Sequence, residues 1–91
     1  MFYVYVLEGK DSELYTGFTG DLKKRVQEHN QELNSSTKRY RPWKLIYYEA
    51  SLSEIDAKRR EGYLKTSKGR ALLKRRLKEY LYSKKKKNLV D

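Results

Sequence analysis

The amino-acid sequence predicts an α+β fold in which a small three-stranded antiparallel sheet is flanked by helices, in the order β-β-α-β-α-α. Two observations lead to this prediction. Three short apolar segments alternate at the two-residue period of a β-strand, and helical spacing of apolar residues follows the second and third of them. With 91 residues the chain is long enough for one domain with one modest core.

The first part of the sequence predicts a β-hairpin followed by a helix. Apolar side chains occupy both faces of residues 2–7, which is typical of a strand covered on both sides. A short polar connection leads to a second strand over residues 14–18, and so short a connection makes the pair antiparallel. Asp21 is the expected N-cap of the first helix. Residues at helical spacing form one stripe along a side of that helix, and its members are Leu22, Val26, His29 and Leu33.

A loop separates this helix from the third strand. Residues 34–42 contain serine, threonine and proline and predict the loop, and residues 43–50 alternate as a strand. Ser51 or Ser53 is expected to cap a second long helix that ends near Lys65. Asp56 stands three residues after Ser53, which is close to a capping box.

The last third of the sequence predicts a break and a final helix. Residues 66–69 interrupt the helical pattern, and a helix is expected over residues 70–82. Residues 83–91 are strongly basic and contain little apolar material, so they are expected to form a disordered tail. The prediction is therefore one domain over residues 1–82, followed by a basic tail over residues 83–91.

The net charge of +10 is concentrated in one part of the chain. Residues 1–57 contain eight basic and nine acidic residues, whereas residues 58–91 contain fourteen basic and three acidic ones. Such a segment typically meets a polyanion because phosphate contacts release condensed counterions, although a solvated helical surface is the alternative. Together with the nine Tyr, two Phe and one Trp, the charge favours a nucleic-acid partner.

Composition also excludes several classes of protein. The chain has no cysteine, which rules out a disulfide scaffold, an iron–sulfur cluster and a thiolate zinc site. No run of about 18 apolar residues is present, so no membrane-spanning segment is expected. The first residues have neither the basic start nor the cleavage site of a signal peptide. We therefore expect a cytoplasmic protein without a membrane partner, and a monomer.

Two tyrosines, one on each strand of the predicted hairpin, are the first candidates for chemistry. Tyr5 and Tyr15 lie on one face of the sheet if the register allows, where they either pack against each other or form part of a site. Gly17, two residues after Tyr15, leaves room for another backbone or a ligand.

The first helix supplies a second pair of candidates. Arg25 and His29 are four residues apart, which places them on the same side of the helix, one turn apart. His29 falls inside the stripe of that helix, so it is either a satisfied histidine at the edge of the core or a functional group. A guanidinium at position 25 is suited to bidentate binding of a phosphate.

Glu61 is an acid on the inward side of a basic helix. It aligns with Ala57 and Leu64 on the helical wheel. Such a carboxylate either forms a buried ion pair or holds a metal, and Mg²⁺ often takes just one or two protein carboxylates. Gly62 costs roughly 1 kcal/mol in a helix interior, which suggests a close approach at this turn.

Taken together, these residues resemble the GIY-YIG endonuclease family. That family carries two short motifs on adjacent strands of a hairpin, and residues 4–6 (Val-Tyr-Val) and 15–17 (Tyr-Thr-Gly) are similar to them. An arginine on the first helix and a glutamate on a later helix follow, and Arg25 and Glu61 stand at the matching places. Some members carry a histidine four residues after the arginine, as His29 is here. The likeness covers residues 2–81 and is closest to the small single-domain bacterial members.

Three departures from the family pattern are visible. The first motif lacks its glycine and isoleucine. Phe18 stands where the excision-repair nuclease carries a lysine. No clear equivalent of that nuclease's later asparagine is found around residues 70–73.

The resemblance implies a phosphodiester hydrolase that cuts DNA with one divalent ion, Mg²⁺ or Mn²⁺. Glu61 would hold the metal, and Arg25 would neutralise charge on the phosphoryl oxygens. A tyrosine would activate the water, with Tyr5 preferred to Tyr15, and His29 could instead take or relay the proton.

The same resemblance implies a DNA partner, with branched or damaged DNA among the candidates, and a role in DNA repair or processing. The basic residues expected to hold the nucleic-acid backbone are Lys24, Lys65, Lys68 and Arg70. Two other interpretations are a non-catalytic nucleic-acid-binding module of the same fold and a small basic RNA-binding protein.

Overall fold

The computed structural model describes residues 1–31 and 37–90. The backbone falls into two compact units, Met1–Glu61 and Gly62–Asp91. The strands and helices, in chain order, are β1 (Phe2–Glu8), β2 (Leu14–Thr19), α1 (Leu22–Asn30), β3 (Lys44–Ser51), α2 (Glu54–Leu64), α3 (Ser67–Arg76) and α4 (Lys78–Val90).

The three strands form one antiparallel sheet in the order β2-β1-β3, with β1 in the centre. The middle of β1 is almost completely buried, from Val4 to Leu7, as expected for a strand covered on both faces. Tyr5 lies opposite Gly17 on one side and Tyr48 on the other, and a β-bulge shifts the β1–β3 register after Val6. The predicted α+β fold with a three-stranded antiparallel sheet is confirmed.

One face of the sheet carries the core of the first unit. Tyr5, Leu7 and Trp43 are its buried centre. The partly buried side chains that pack against this centre come from β2, α1, β3 and the segment before β3, and they are Tyr15, Leu22, Val26, Tyr40 and Leu45. Helix α1 therefore covers the Tyr5 face through the stripe that the sequence predicts.

The middle of α2 packs on the opposite face. Glu49, which pairs with Val4 across the strands, accepts two hydrogen bonds from Arg60, at 2.9 Å from Nε and 3.0 Å from Nη2. The Lys58 ammonium lies 5.4 Å from the centre of the Phe18 ring. These contacts fix how α2 is rotated against the sheet within the first unit.

Side-chain caps set the beginnings of the helices. The Asp21 carboxylate accepts a hydrogen bond from the backbone N–H of Lys24 at 3.1 Å, and Ser53 Oγ accepts one from Asp56 at 3.2 Å. Both predicted caps are confirmed, since each satisfies an N–H group that the first helical turn leaves without an intrahelical partner. Leu33, which the sequence places in the α1 stripe, lies outside the described residues.

The second unit differs from the prediction. Thr66 Oγ1 accepts from the N–H of Gly69 at 3.1 Å, so this cap begins α3 where a break is expected. Helix α3 ends at Arg76 and α4 begins at Lys78, so two helices replace the single helix predicted over residues 70–82. The backbone of residues 83–90 continues α4, where the composition predicts disorder. Lysine is a good helix former, which favours this continuation.

The loop predicted over residues 34–42 contains a short 3₁₀ turn, Lys38–Tyr40; residues 34–36 lie outside the described part of the chain. None of the helices that the structure describes has the length and apolar composition needed to cross a membrane.

Two helical glycines have opposite surroundings, and alanine at each tests the fold of the second unit. A Cβ at Gly69 would lie 2.5 Å from Cα of Leu64 and against the carbonyl oxygen of Tyr63, whereas a Cβ at Gly62 meets no described atom within 4 Å. Gly62→Ala should raise the free energy of unfolding by roughly 0.5–1 kcal/mol. Gly69→Ala should lower it by about 1–3 kcal/mol. Urea denaturation measures both, and equal effects would contradict the close approach at Gly69.

Candidate active site

The ring of Tyr5 crosses the sheet over Gly17, its partner on β2. A Cβ at position 17 would lie 2.5 Å from Cζ of Tyr5 and also against its hydroxyl group. Only a residue without a side chain leaves space for this ring. The room that the sequence attributes to Gly17 is therefore filled by the protein's own tyrosine.

The hydroxyl of Tyr5 is held by two side chains from α1. Arg25 Nε donates a hydrogen bond to it at 3.3 Å, and His29 Nε2 lies 2.9 Å from it. Tyr5 and His29 are both completely buried, whereas about a third of the Arg25 side chain is exposed. The one-turn spacing of Arg25 and His29 thus brings both groups to one oxygen atom.

Tyr15 lies on the same face of the sheet as Tyr5. The centres of the two rings are 6.2 Å apart, and the Tyr15 ring meets the His29 ring edge-on at 4.8 Å. Tyr15 is partly exposed. Its hydroxyl makes no hydrogen bond to any residue in the described ranges, and this distinguishes it from the hydroxyl of Tyr5.

Glu61, near the end of α2, is partly buried. Its carboxylate is near enough to Tyr5 to act on the phenol through space, where it raises the pKa of Tyr5. Hydrogen bonds and ring contacts thus bring together Tyr5, Tyr15, Arg25 and His29, whereas Glu61 is linked to them by this effect of its charge, the weakest of those on the pKa of Tyr5.

The four residues expected to contact nucleic acid are all exposed. Lys24 follows Asp21 on the exposed side of α1. In the second unit, the side chains of Lys65, Lys68 and Arg70 are exposed.

Burial controls the protonation of the central pair. Burial raises the pKa of Tyr5 to about 12, with smaller increases from Tyr15 and Glu61, and the hydrogen bond from Arg25 opposes this rise. Burial also lowers the pKa of His29, and the positive charge of Arg25 lowers it further while Glu28 opposes the change. At neutral pH the site therefore holds a protonated phenol beside a neutral imidazole.

Three residues that sequence reasoning missed support this pair. Glu28 accepts a hydrogen bond from Arg25 Nη1 at 3.1 Å, and its i, i+3 spacing was the available signal. The Thr37 hydroxyl lies 2.8 Å from His29 Nδ1. The indole N–H of Trp43 donates to the carbonyl oxygen of Thr37 at 2.8 Å. No local pattern links Thr37 to the helix that it contacts.

Comparison with known proteins fits this geometry. A family model described as the GIY-YIG catalytic domain matches residues 1–72. The chain belongs to the GIY-YIG family. The matched range contains all five residues of the site, and membership confirms the resemblance that the two tyrosine segments indicate. GIY-YIG domains are nuclease domains, so the chain has the catalytic fold of a nuclease family.

Proteins named UPF0213 are similar to this member of the family. The one from Clostridium perfringens is 44% identical over 66 residues, which are 71% of each chain. One from Streptococcus pyogenes is 46% identical over 70 residues, 76% of each chain. The solution NMR structure of a UPF0213 protein from Bacillus halodurans is 37% identical, covers 91% of this chain and 84% of that one, and has a TM-score of 0.47.

The lowered pKa of His29 predicts loss of stability in mild acid. Its folded-state pKa lies below the unfolded value of about 6.5, so neutral His29 stabilises the fold fully above that value, and this contribution is lost as the pH falls toward the folded-state pKa. His29 is the one histidine in the chain. Denaturation at pH 7.5 and 5.5 should show this decrease for the wild type and a much weaker one for His29→Gln, which does not titrate. Equal decreases would contradict the prediction.

The close approach of Tyr5 to Gly17 predicts a specific sensitivity to alanine. Gly17→Ala should destabilise the fold by about 1–3 kcal/mol because the new methyl group displaces the Tyr5 ring. Gly20→Ala is the matched control, since its Cβ meets the Phe2 ring only at 3.9 Å. Thermal and urea denaturation measure both variants. A Gly17→Ala protein as stable as the control would mean that the ring does not need this space.

Proposed function

We propose that the chain is a metal-dependent endonuclease that hydrolyses DNA phosphodiester bonds in DNA repair or processing. The observation that carries the proposal is the meeting of Arg25 and His29 at the Tyr5 hydroxyl, beside Tyr15, in a member of a nuclease family. The charge of Glu61, which acts on the same phenol, supports it. The proposal assigns a role to each of these side chains from its exposure and its partners.

Arg25 is suited to bind the phosphoryl oxygens of the scissile phosphate. Its guanidinium has five N–H donors, of which the bonds to Tyr5 and Glu28 use two. Since about a third of the side chain is exposed, the remaining donors can reach a substrate. Fixed donors that meet developing negative charge contribute most of the catalysis in phosphoryl transfer.

The carboxylate of Glu61 fits a divalent cation. The described residues contain no group of three acids, histidines or cysteines that could hold a metal, so a site made wholly of protein ligands is not expected there. Mg²⁺ suits a single carboxylate, because it usually keeps several waters and binds substrate phosphates through its other positions. When bound, Mg²⁺ or Mn²⁺ polarises the phosphate and stabilises the leaving oxygen.

The exposure of the tyrosines changes the order in which the sequence ranks them. Tyr5 is completely buried and its pKa is raised to about 12, so it is not a base at neutral pH in this structure. Tyr15 is partly exposed, and within the described residues its hydroxyl makes no hydrogen bond. We therefore assign the orientation of the attacking water to Tyr15. Tyr5 and His29 instead hold Arg25 in position.

Glu61→Gln tests the enzymatic role directly. The substitution keeps the shape of the side chain but removes its charge, so Mg²⁺- or Mn²⁺-dependent cleavage should fall at least about a hundredfold, the order that loss of one electrostatic stabiliser costs. Binding of the same DNA should change little. The assay uses labelled single-stranded, duplex, nicked, flap and branched DNA, with and without a chelator.

Glu54→Gln is the matched control for this experiment. Glu54 is an exposed acid in the first turn of the same helix, so its substitution makes the same change of charge away from the site. Equal activity of both variants would refute the role of Glu61. Wild-type protein that binds this DNA but cleaves none of it would favour the non-catalytic binding module, and preference for RNA at matched salt would favour the RNA-binding alternative.

A further inference from the structure

A buried chain of hydrogen bonds runs from the guanidinium of Arg25 into the core. Arg25 Nε donates to the Tyr5 hydroxyl at 3.3 Å, the hydroxyl lies 2.9 Å from His29 Nε2, and His29 Nδ1 lies 2.8 Å from Thr37 Oγ1. Thr37 is only 3% exposed and His29 is completely buried. Buried polar groups of this kind need partners with defined donors and acceptors.

The donors and acceptors of these groups allow one arrangement of protons along the chain of hydrogen bonds. A guanidinium only donates, so the Tyr5 oxygen is the acceptor in its bond with Arg25. Among the described residues, His29 Nε2 is the other polar group bonded to that oxygen, so it is the acceptor available to the Tyr5 O–H. A neutral imidazole then carries its proton on Nδ1 and donates it to Thr37. The opposite tautomer would leave the Tyr5 proton without an acceptor among these groups.

The backbone of Thr37 is held independently of this chain of hydrogen bonds. Its carbonyl oxygen accepts from the indole of Trp43 at 2.8 Å. Trp43 is in turn fixed by Asn30 through two hydrogen bonds, at 2.7 Å to its backbone N–H and 3.0 Å to its carbonyl oxygen. None of these contacts involves the Thr37 hydroxyl, so they are retained when the hydroxyl is removed.

We propose that Thr37 is a positioning residue. Its hydroxyl accepts the Nδ1–H of the His29 tautomer that Arg25 and Tyr5 select, and it thereby stabilises that tautomer and, through Tyr5, the orientation of Arg25. The Nε2 lone pair takes the Tyr5 proton, which leaves the phenol oxygen with its lone pairs to accept from Arg25. The catalytic consequence rests on the proposed function, in which Arg25 binds the scissile phosphate. Thr37 itself is buried, so its role in the proposal is to position other groups and not to contact the substrate.

Two substitutions distinguish the effect of the Thr37 hydroxyl from the effect of the shape of its side chain. Thr37→Val keeps the branched shape and removes the hydroxyl, whereas Thr37→Ser keeps the hydroxyl. Because the chain has a single histidine, ¹⁵N NMR of the ring reports its tautomer without overlap. Wild type and Thr37→Ser should carry the proton on Nδ1, and Thr37→Val should shift toward Nε2–H. A wild-type proton on Nε2, or no shift in Thr37→Val, would overturn the proposal.

Cleavage supplies the second measurement. The single-turnover rate of Thr37→Val should fall about ten- to a hundredfold, as is usual when an outer-shell partner is lost, while the Kd for DNA stays near the wild-type value and Thr37→Ser retains most of the rate. Equal losses in both variants, with unfolding midpoints unchanged, would show that the hydroxyl has no positioning role. If the wild type cleaves no substrate, the proposed function fails, and the ¹⁵N measurement still decides whether Thr37 fixes the tautomer.

Discussion

The hydroxyl of Tyr5 is buried at the centre of the sheet, where water cannot satisfy it, and the structure around it follows from that constraint. Leaving such a group unpaired costs about 1–3 kcal/mol. Helix α1 therefore lies where Arg25 and His29 both reach the phenol oxygen. The ring arrives there only because Gly17 has no side chain. The register of the hairpin, the glycine at position 17 and the orientation of α1 thus all serve to accommodate and satisfy this one oxygen atom.

This network keeps charge at the edge of the site and neutral groups inside it. Burial favours the neutral forms of Tyr5 and His29, and the positive charge of Arg25 reinforces the neutral state of the imidazole. Arg25 keeps its charge because its exposed third meets water and Glu28 pairs with it. A neutral, fully bonded interior is rigid, so it can hold a guanidinium in a fixed direction without the desolvation cost of a second buried ion.

The parts of this site that the sequence predicts depend on short-range periodicity. Alternation on the strands places Tyr5 and Tyr15 on one face, and four-residue spacing places Arg25 beside His29. Thr37 could not be found in this way, because its contact with His29 is made across a loop. The sequence assigns Gly69 to a helix break, and its true position could not be predicted because it depends on tertiary packing. It lies inside α3 against the backbone of Tyr63 and Leu64, and only the packed structure shows that a side chain would not fit there.

The excess positive charge and the candidate site residues belong to different segments of the chain. The first unit, which holds all five site residues, has eleven basic and ten acidic residues, so its field at long range is weak. The second unit has eleven basic and two acidic residues and provides almost all of the excess. Attraction of a polyanion to these cations over a long range is screened by salt. In the proposed function Arg25 acts instead at hydrogen-bond distance from a fixed position, where screening matters little. The net charge therefore accounts for attraction to nucleic acid, whereas in the proposed function the chemistry depends on the orientation of one guanidinium by Tyr5, His29 and Thr37.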